Sequence, residues 1–97
     1  MVEFLATADY LKFVAKLRDR QAKARIAIRL NRLAFGNADD AKAVGDGVSE
    51  LRIDYGPGYR VYDKRRGEEL IILLCGGNKS SQADDIKKAR QLAGEWT

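Results

Sequence analysis

The chain has 97 residues, 18 of them basic and 14 acidic for a formal charge of +4, with 45% hydrophobic residues, one proline and no histidine. That length supports a single domain over residues 1–97 with one modest core, small enough to gain from a partner. The missing histidine excludes His-based triads, His–carboxylate base pairs and His-rich metal sites, and a lone cysteine, Cys75, excludes a zinc cluster or disulfide framework, so neither cofactor nor metal is expected.

Residues 2–5, VEFL, read as a short first strand. Thr7 is placed to N-cap a helix from about Ala8 to Arg18, with Tyr10, Phe13, Val14 and Leu17 at i, i+3, i+4 and i+7. A second helix is expected from about Gln21 to Ala34. Ala22, Ile26, Leu30 and Leu33 share its apolar face, and Lys23, Arg25, Arg29 and Arg32 take much of the rest. These cations fit an RNA-facing stripe or a solvated face equally well, since their stems also cover apolar surface. Gly36-Asn37 tolerate a left-handed cap, and GNADDAKAVGDG then reads as a loop in which Asp39-Asp40 are solvated.

Two alternating runs flank Gly56-Pro57-Gly58, the pattern of an antiparallel hairpin. Leu51, Ile53 and Tyr55 fall on one face of the first run, and Glu50, Arg52 and Asp54 on the other. In the second run Tyr59 and Val61 are the apolar set, and Arg60, Tyr62 and Lys64 share the opposite face. One side of the sheet can pack on a core while the other gathers cations and a tyrosine in a small area suited to phosphate. The same alternation also fits a salt-bridged outer face. Leu70 to Cys75 is continuously apolar, as in a strand covered on both faces, and Gly76-Gly77 is expected to end it. A last helix should run from Ser80 or Ser81 to about Ala93, with Asp84 and Asp85 complementing the dipole of its first turn. Ala83, Ile86, Ala89 and Leu92 form its apolar stripe. Trp96, Phe4, Tyr10, Phe13 and Phe35 are expected in the core or at its edge. The apolar runs are too short to span a membrane and the start of the chain lacks a basic-then-apolar signal, so cytoplasm is the expected compartment.

The blocks ELRI (Glu50–Ile53), GPGYRVY (Gly56–Tyr62) and GGNKSSQ (Gly76–Gln82), in that order, resemble the RelE/ParE superfamily of type II toxins. Within it the likeness is to the addiction-module killer, or HigB-like, group, and it runs from about Phe13 to Ala89. The resemblance implies an α+β fold with two N-terminal helices and a C-terminal helix packed on a small, mainly antiparallel sheet. It implies a ribosome-dependent mRNA endoribonuclease that needs no metal. The implied partners are the ribosome, mRNA and a cognate antitoxin, a small helix-turn-helix protein of HigA-like type. In such cleavage the 2′-OH attacks the adjacent phosphorus, which calls for a base, cations for the developing charge and an acid for the 5′-oxygen. The positions that match the family's active site are Arg52, Arg60, Tyr62 and Lys79. Arg52 and Arg60 would clamp phosphate bidentately, and Tyr62 or Lys79, with its pKa lowered by neighbouring positive charge, would move protons. Glu50 and Asp54 can act as base or pair with the arginines. Lys23, Arg25, Arg29, Arg32 and Lys64 are the expected RNA or ribosome contacts. The chain lacks the C-terminal histidine of some HigB-type nucleases and has only Trp96 where RelE-type enzymes place a late tyrosine. These departures keep open a ParE-like gyrase inhibitor and a non-catalytic family member.

Overall fold

The computed structural model describes residues 2–36 and 41–96. In chain order the elements are β1 (Glu3–Ala6), α1 (Ala8–Lys16), α2 (Arg20–Ala34), β2 (Ala41–Gly45), β3 (Val48–Ile53), β4 (Tyr59–Arg66), β5 (Leu70–Gly77), a 3-10 turn (Lys79–Ser81) and α3 (Gln82–Glu95). The strands form one sheet in the order β1-β5-β4-β3-β2. Only the β1–β5 pair is parallel, so the fold is α+β on a mainly antiparallel sheet, as expected.

Local chemistry sets the helix ends. Thr7 accepts a hydrogen bond from the Tyr10 amide and starts α1; its hydroxyl also donates to the Leu74 carbonyl, which ties the cap to β5. The first helix stops two residues short of the expected Arg18, because Leu17 is already extended and Asp19 caps the next helix through the Gln21 and Ala22 amides. An aspartate there is a normal N-cap signal, and it moves the start of α2 to Arg20. Asn37 and the Asp39-Asp40 pair lie outside the described residues.

The expected loop before the hairpin contains a strand instead. Ala41–Gly45 pairs antiparallel with β3 through a two-residue turn at Asp46-Gly47, with φ of 54° and 77°. Asp-Gly favours the left-handed pair of conformations that a tight hairpin needs, so the sheet gains a fifth strand. Gly76-Gly77 does not break β5 but lies within it. A Cβ on Gly76 would overlap the Phe13 ring of α1, and one on Gly77 would overlap the Asp85 carboxylate of α3. The two glycines let one helix press on each face.

Both faces of the sheet are covered. On one, Tyr10 of α1, Ile26 and Leu33 of α2 and Leu17 between the two helices pack on Leu51, Ile53, Val61, Ile71 and Leu73. On the other, Ala89 and Ala93 of α3 meet Val48, Tyr62, Ile72, Leu74 and Cys75, with Ile86, Leu92 and Trp96 partly buried beside them. The small Ala89 and Ala93 allow close approach, while Ala83 of the expected stripe stays exposed. This explains the unbroken apolar run of β5. It also corrects the expectation of an open polar face: α3 covers the part around Tyr62, leaving only the end near Arg52 and Arg60 accessible. Cys75 is a buried free thiol, pushed up to about 12 by burial. Phe35, expected at the core or its edge, is 83% exposed.

Candidate functional site

The open end of the polar face is a groove of about 780 Å³ lined by Lys42, Arg52, Asp54, the Gly56–Gly58 turn, Arg60 and Lys79. It is assembled by register. Lys42 of β2 stands beside Glu50 of β3, which stands beside Tyr62 of β4, and Arg52 stands opposite Arg60. Like charges directly opposite one another on a sheet repel. Here a buried carboxylate lies next to both.

Glu50 is that carboxylate and it is fully buried. Its Oε1 accepts from Arg52 Nε at 3.0 Å, and its Oε2 accepts from Tyr62 Oη at 3.0 Å and from Gln82 Nε2 at 2.9 Å. Arg60 Nε approaches the same Oε2 to 3.7 Å. Burial raises the carboxyl pKa, but the hydrogen bonds from Gln82, Arg52 and Tyr62 and the Arg52 charge outweigh it and hold Glu50 below its usual value. It stays ionised, with its acceptor sites engaged inside the protein. That suits a scaffold for arginines better than a general base.

Arg60 is 8% exposed. Its Nη1 donates to the Gly58 carbonyl at 2.6 Å, and its Nε is buried without a hydrogen-bond acceptor. The Arg52 side chain is half exposed. Lys79 is exposed at the start of the 3-10 turn, which is held against the hairpin by its amide on the Pro57 carbonyl and capped by Asn78 on the Ser80 amide. Four cations therefore line the groove, with Asp54 the one carboxylate among its described lining residues.

Two expected site residues sit differently. Tyr62 is buried under α3, where burial and the hydrogen bond and charge of Glu50 push its phenol well above the usual tyrosine value. The sequence reading needed this pKa lowered; the neighbour that matters is the carboxylate, not the arginines. Lys64 lies on the same face but at the far end, where its Nζ donates to the Ala93 carbonyl and closes the last turn of α3, a common use for lysine at a helix C-terminus. The α2 cations flank the site from the other face. Arg29 Nη1 donates to the Arg52 carbonyl at 2.7 Å and the Arg25 guanidinium stands 4.6 Å from the Tyr55 ring centroid. Arg25, Arg29 and Arg32 line a depression that shares Ile53 and Asp54 with the groove, while Lys23 is exposed and lines neither.

Sequence reasoning missed Lys42, because its strand was read as loop, and Gln82, because nothing in a helix start marks a donor to a distant carboxylate. The Asp46-Gly47 turn was the available signal for Lys42. A second cleft of about 330 Å³ lies between α1, α3 and the end of β5. Its charges are mixed and partly satisfied: Lys88 pairs with Asp9 at 2.9 Å, and Asp85 accepts from Ser81. The groove has the larger excess of cations over carboxylates in its lining. Among the described residues no three His, Cys, Asp or Glu side chains gather as a metal-ligand set, and no helix is long and apolar enough to cross a membrane.

Against known proteins, no family model matches the chain. It is 50% identical over 94 residues to an uncharacterized protein of Haemophilus influenzae, an alignment covering 97% of this chain and 95% of the other. The chain belongs to that protein's family.

Proposed function

We propose that this chain is the toxin of a type II toxin–antitoxin module, a cytoplasmic endoribonuclease that cuts mRNA on the ribosome and is held in check by a small helix-turn-helix antitoxin. The observation that carries the RNA reading is the groove itself, where Lys42, Arg52, Arg60 and Lys79 stand with Asp54 as the one carboxylate among its described lining residues. A phosphate oxygen in the groove would meet cations on several sides, and charge-assisted bonds from arginine are the strong ones.

In this reading the 2′-hydroxyl attacks the adjacent phosphorus, the P–O5′ bond breaks, and the products are a 2′,3′-cyclic phosphate and a 5′-hydroxyl. Arg52 and Arg60 stabilise the charge that develops on the phosphorane oxygens. Asp54 is the groove carboxylate available to take the 2′-OH proton, and Lys79 the exposed ammonium available to the departing 5′-oxygen. Tyr62 and Glu50 are positioning residues that hold the two arginines. The α2 cations beside the Arg52 end extend the positive surface that ribosomal RNA would meet.

The test is sequencing of RNA 5′ ends after induction in a bacterial host. New 5′-hydroxyl ends should appear with the native chain and vanish with Asp54→Asn or Lys79→Gln, both at exposed positions, at unchanged melting temperature. Growth arrest without new ends would overturn the nuclease reading. One observation favours the alternative of a non-cutting, ParE-like gyrase inhibitor: both residues closest to acid–base chemistry on β3 and β4, Glu50 and Tyr62, are locked into internal hydrogen bonds. Inhibition of DNA supercoiling by the purified chain would support that reading.

A further inference from the structure

The cleft between α1, α3 and the end of β5 adjoins the cationic groove but has a different chemistry. Two half-buried aromatic rings line it, Phe13 of α1 and Tyr59 at the start of β4. Beside them Gly76 and Gly77 of β5 present backbone in place of side chains. The strand β1 ends opposite Leu73, so among the described residues no strand lies beside β5 from Cys75 to Gly77 on that edge. Successive residues of an antiparallel strand direct their N–H and C=O to alternate edges. Three residues in a row therefore leave at least one such backbone pair on the open edge.

These features do not suit an anion. Lys88 is paired with Asp9 at 2.9 Å, and a phosphate would also meet Asp85, which is half-buried against Gly77. Asp85 accepts from Ser81 through Oδ2, which leaves Oδ1 as a further acceptor. An aliphatic ligand would cover the carboxylate and the strand edge without pairing either, and that desolvation is costly. A planar heterocycle uses everything present: its face meets the rings of Phe13 and Tyr59, and its rim of donors and acceptors meets Asp85 and the open edge of β5.

Cleft and groove meet where single residues separate them. Tyr59 follows Gly58, which lines the groove, and Asn78 precedes Lys79, which also lines it. Gly77 of the cleft stands opposite Arg60 of the groove in the β4–β5 ladder. Gly58 is the partition, and it is thin: a Cβ there would lie 3.2 Å from Arg60 Nη1 and 3.4 Å from the Lys79 Cβ. Consecutive Cα atoms are about 3.8 Å apart, so a sugar–phosphate backbone in the groove passes the mouth of the cleft.

We infer that the cleft takes one unpaired nucleobase of a single-stranded RNA whose phosphates lie in the groove. Unstacked bases are commonly held in this way, on aromatic rings and by hydrogen bonds to their edges. The inference rests on the RNA reading of the groove and deepens it: the groove accepts any phosphate, and the cleft selects the base beside it.

The test is an NMR titration of the isotope-labelled full chain with three probes: a single-stranded RNA hexamer, the same hexamer with every base removed, and adenosine monophosphate. The intact hexamer should shift amides around Arg52, Arg60 and Lys79 together with those of Phe13, Tyr59, Gly76 and Gly77. The abasic hexamer should shift only the first set and bind about tenfold more weakly, the scale of one stacked base. Tyr59→Leu and Phe13→Leu keep apolar bulk at the edge of the core; each should weaken the intact hexamer and leave the abasic one unchanged. Cleft amides unmoved by the intact hexamer, moved equally by the abasic one, or saturated as tightly by the mononucleotide would each overturn the inference, as would variants that lose both hexamers equally. Shifts in cleft and groove from a chain that produces no new RNA 5′ ends in cells would sink the nuclease reading and leave the base site standing. New 5′ ends with the cleft amides unmoved would do the reverse.

Discussion

Asp63 should be a stability liability at neutral pH, and its removal should show when it becomes one. The residue stands between Ser49 on β3 and Leu73 on β5, just past a bulge in β4, and it is buried with neither carboxylate oxygen hydrogen-bonded. Burial raises its pKa from 3.8 to about 6, only partly offset by the Arg65 charge. The native state therefore holds a proton that the unfolded chain has already released. Below the unfolded value the group is neutral in both states and costs nothing; as pH rises through the folded value the stability is lost. About two pKa units correspond to about 3 kcal/mol once the group is fully ionised above pH 7, and the same relation leaves about 0.5 kcal/mol at pH 4. Asp63→Asn keeps the shape and removes the charge. Denaturant unfolding followed by circular dichroism at pH 4, 6 and 8 should show variant and native chains nearly matched at pH 4. At pH 8 the variant should be more stable by about 2–3 kcal/mol, since its amide is still unpaired. A gap that does not change with pH, or a less stable variant at pH 8, would refute the argument.

Three further outcomes follow from the site. Tyr62→Phe should cost about 1.5–3 kcal/mol, the hydrogen bond to the Glu50 carboxylate, and retain growth arrest, whereas Tyr62→Ala opens a cavity under α3 and should cost about 3–5 kcal/mol; arrest lost in Tyr62→Phe while the domain is still folded would mean that the phenol takes part in the chemistry. Glu50 is held below its usual pKa, so its contribution is present above the unfolded value of 4.5 and lost as pH falls below it; Glu50→Gln should remove that acid-side slope and destabilise the fold by about 3 kcal/mol, as pH-resolved thermal melts would read. Lys42→Ala and Lys79→Ala should each lower the salt slope of RNA binding, measured by fluorescence anisotropy, by about one, whereas Lys64→Ala should lower stability and leave that slope alone.

Which residues share a face was legible from alternation, because a strand's period of two does not depend on what lies above it. Leu51, Ile53 and Val61 do face α1 and α2, and Glu50, Arg52, Arg60 and Tyr62 do share the opposite side. Whether that side was covered was not legible. The stripe of Ile86, Ala89 and Leu92 says that α3 packs on something, and only the three-dimensional path brings it over Tyr62 rather than beside the sheet. The same limit applies to Lys64, whose acceptor is 29 residues away. The strand at Ala41–Gly45 was different. It is short and contains Lys42 and Gly45, so its periodicity is weak, but Asp46-Gly47 ahead of a clean alternating run was a hairpin signal in plain view.

The edge of α3 is where fold and site meet. Gly77 lets the first turn of α3 sit directly on β5, since any Cβ there would strike Asp85 and Ser81. That close seat carries Gln82 to the Glu50 carboxylate, on the residue immediately after the 3-10 turn that presents Lys79. Glu50 then faces two ways: Tyr62 and Gln82 fix it from the buried side, and it fixes Arg52 toward the groove. A carboxylate buried with one cation alone would cost more in desolvation than the pair returns. Shared among two arginines, a phenol and an amide, it becomes the means by which a like-charged pair can stand opposite each other on adjacent strands. The groove's positive charge is therefore a consequence of how α3 docks, and a substitution that lifts α3 from the sheet would loosen the two arginines before it unfolded the chain.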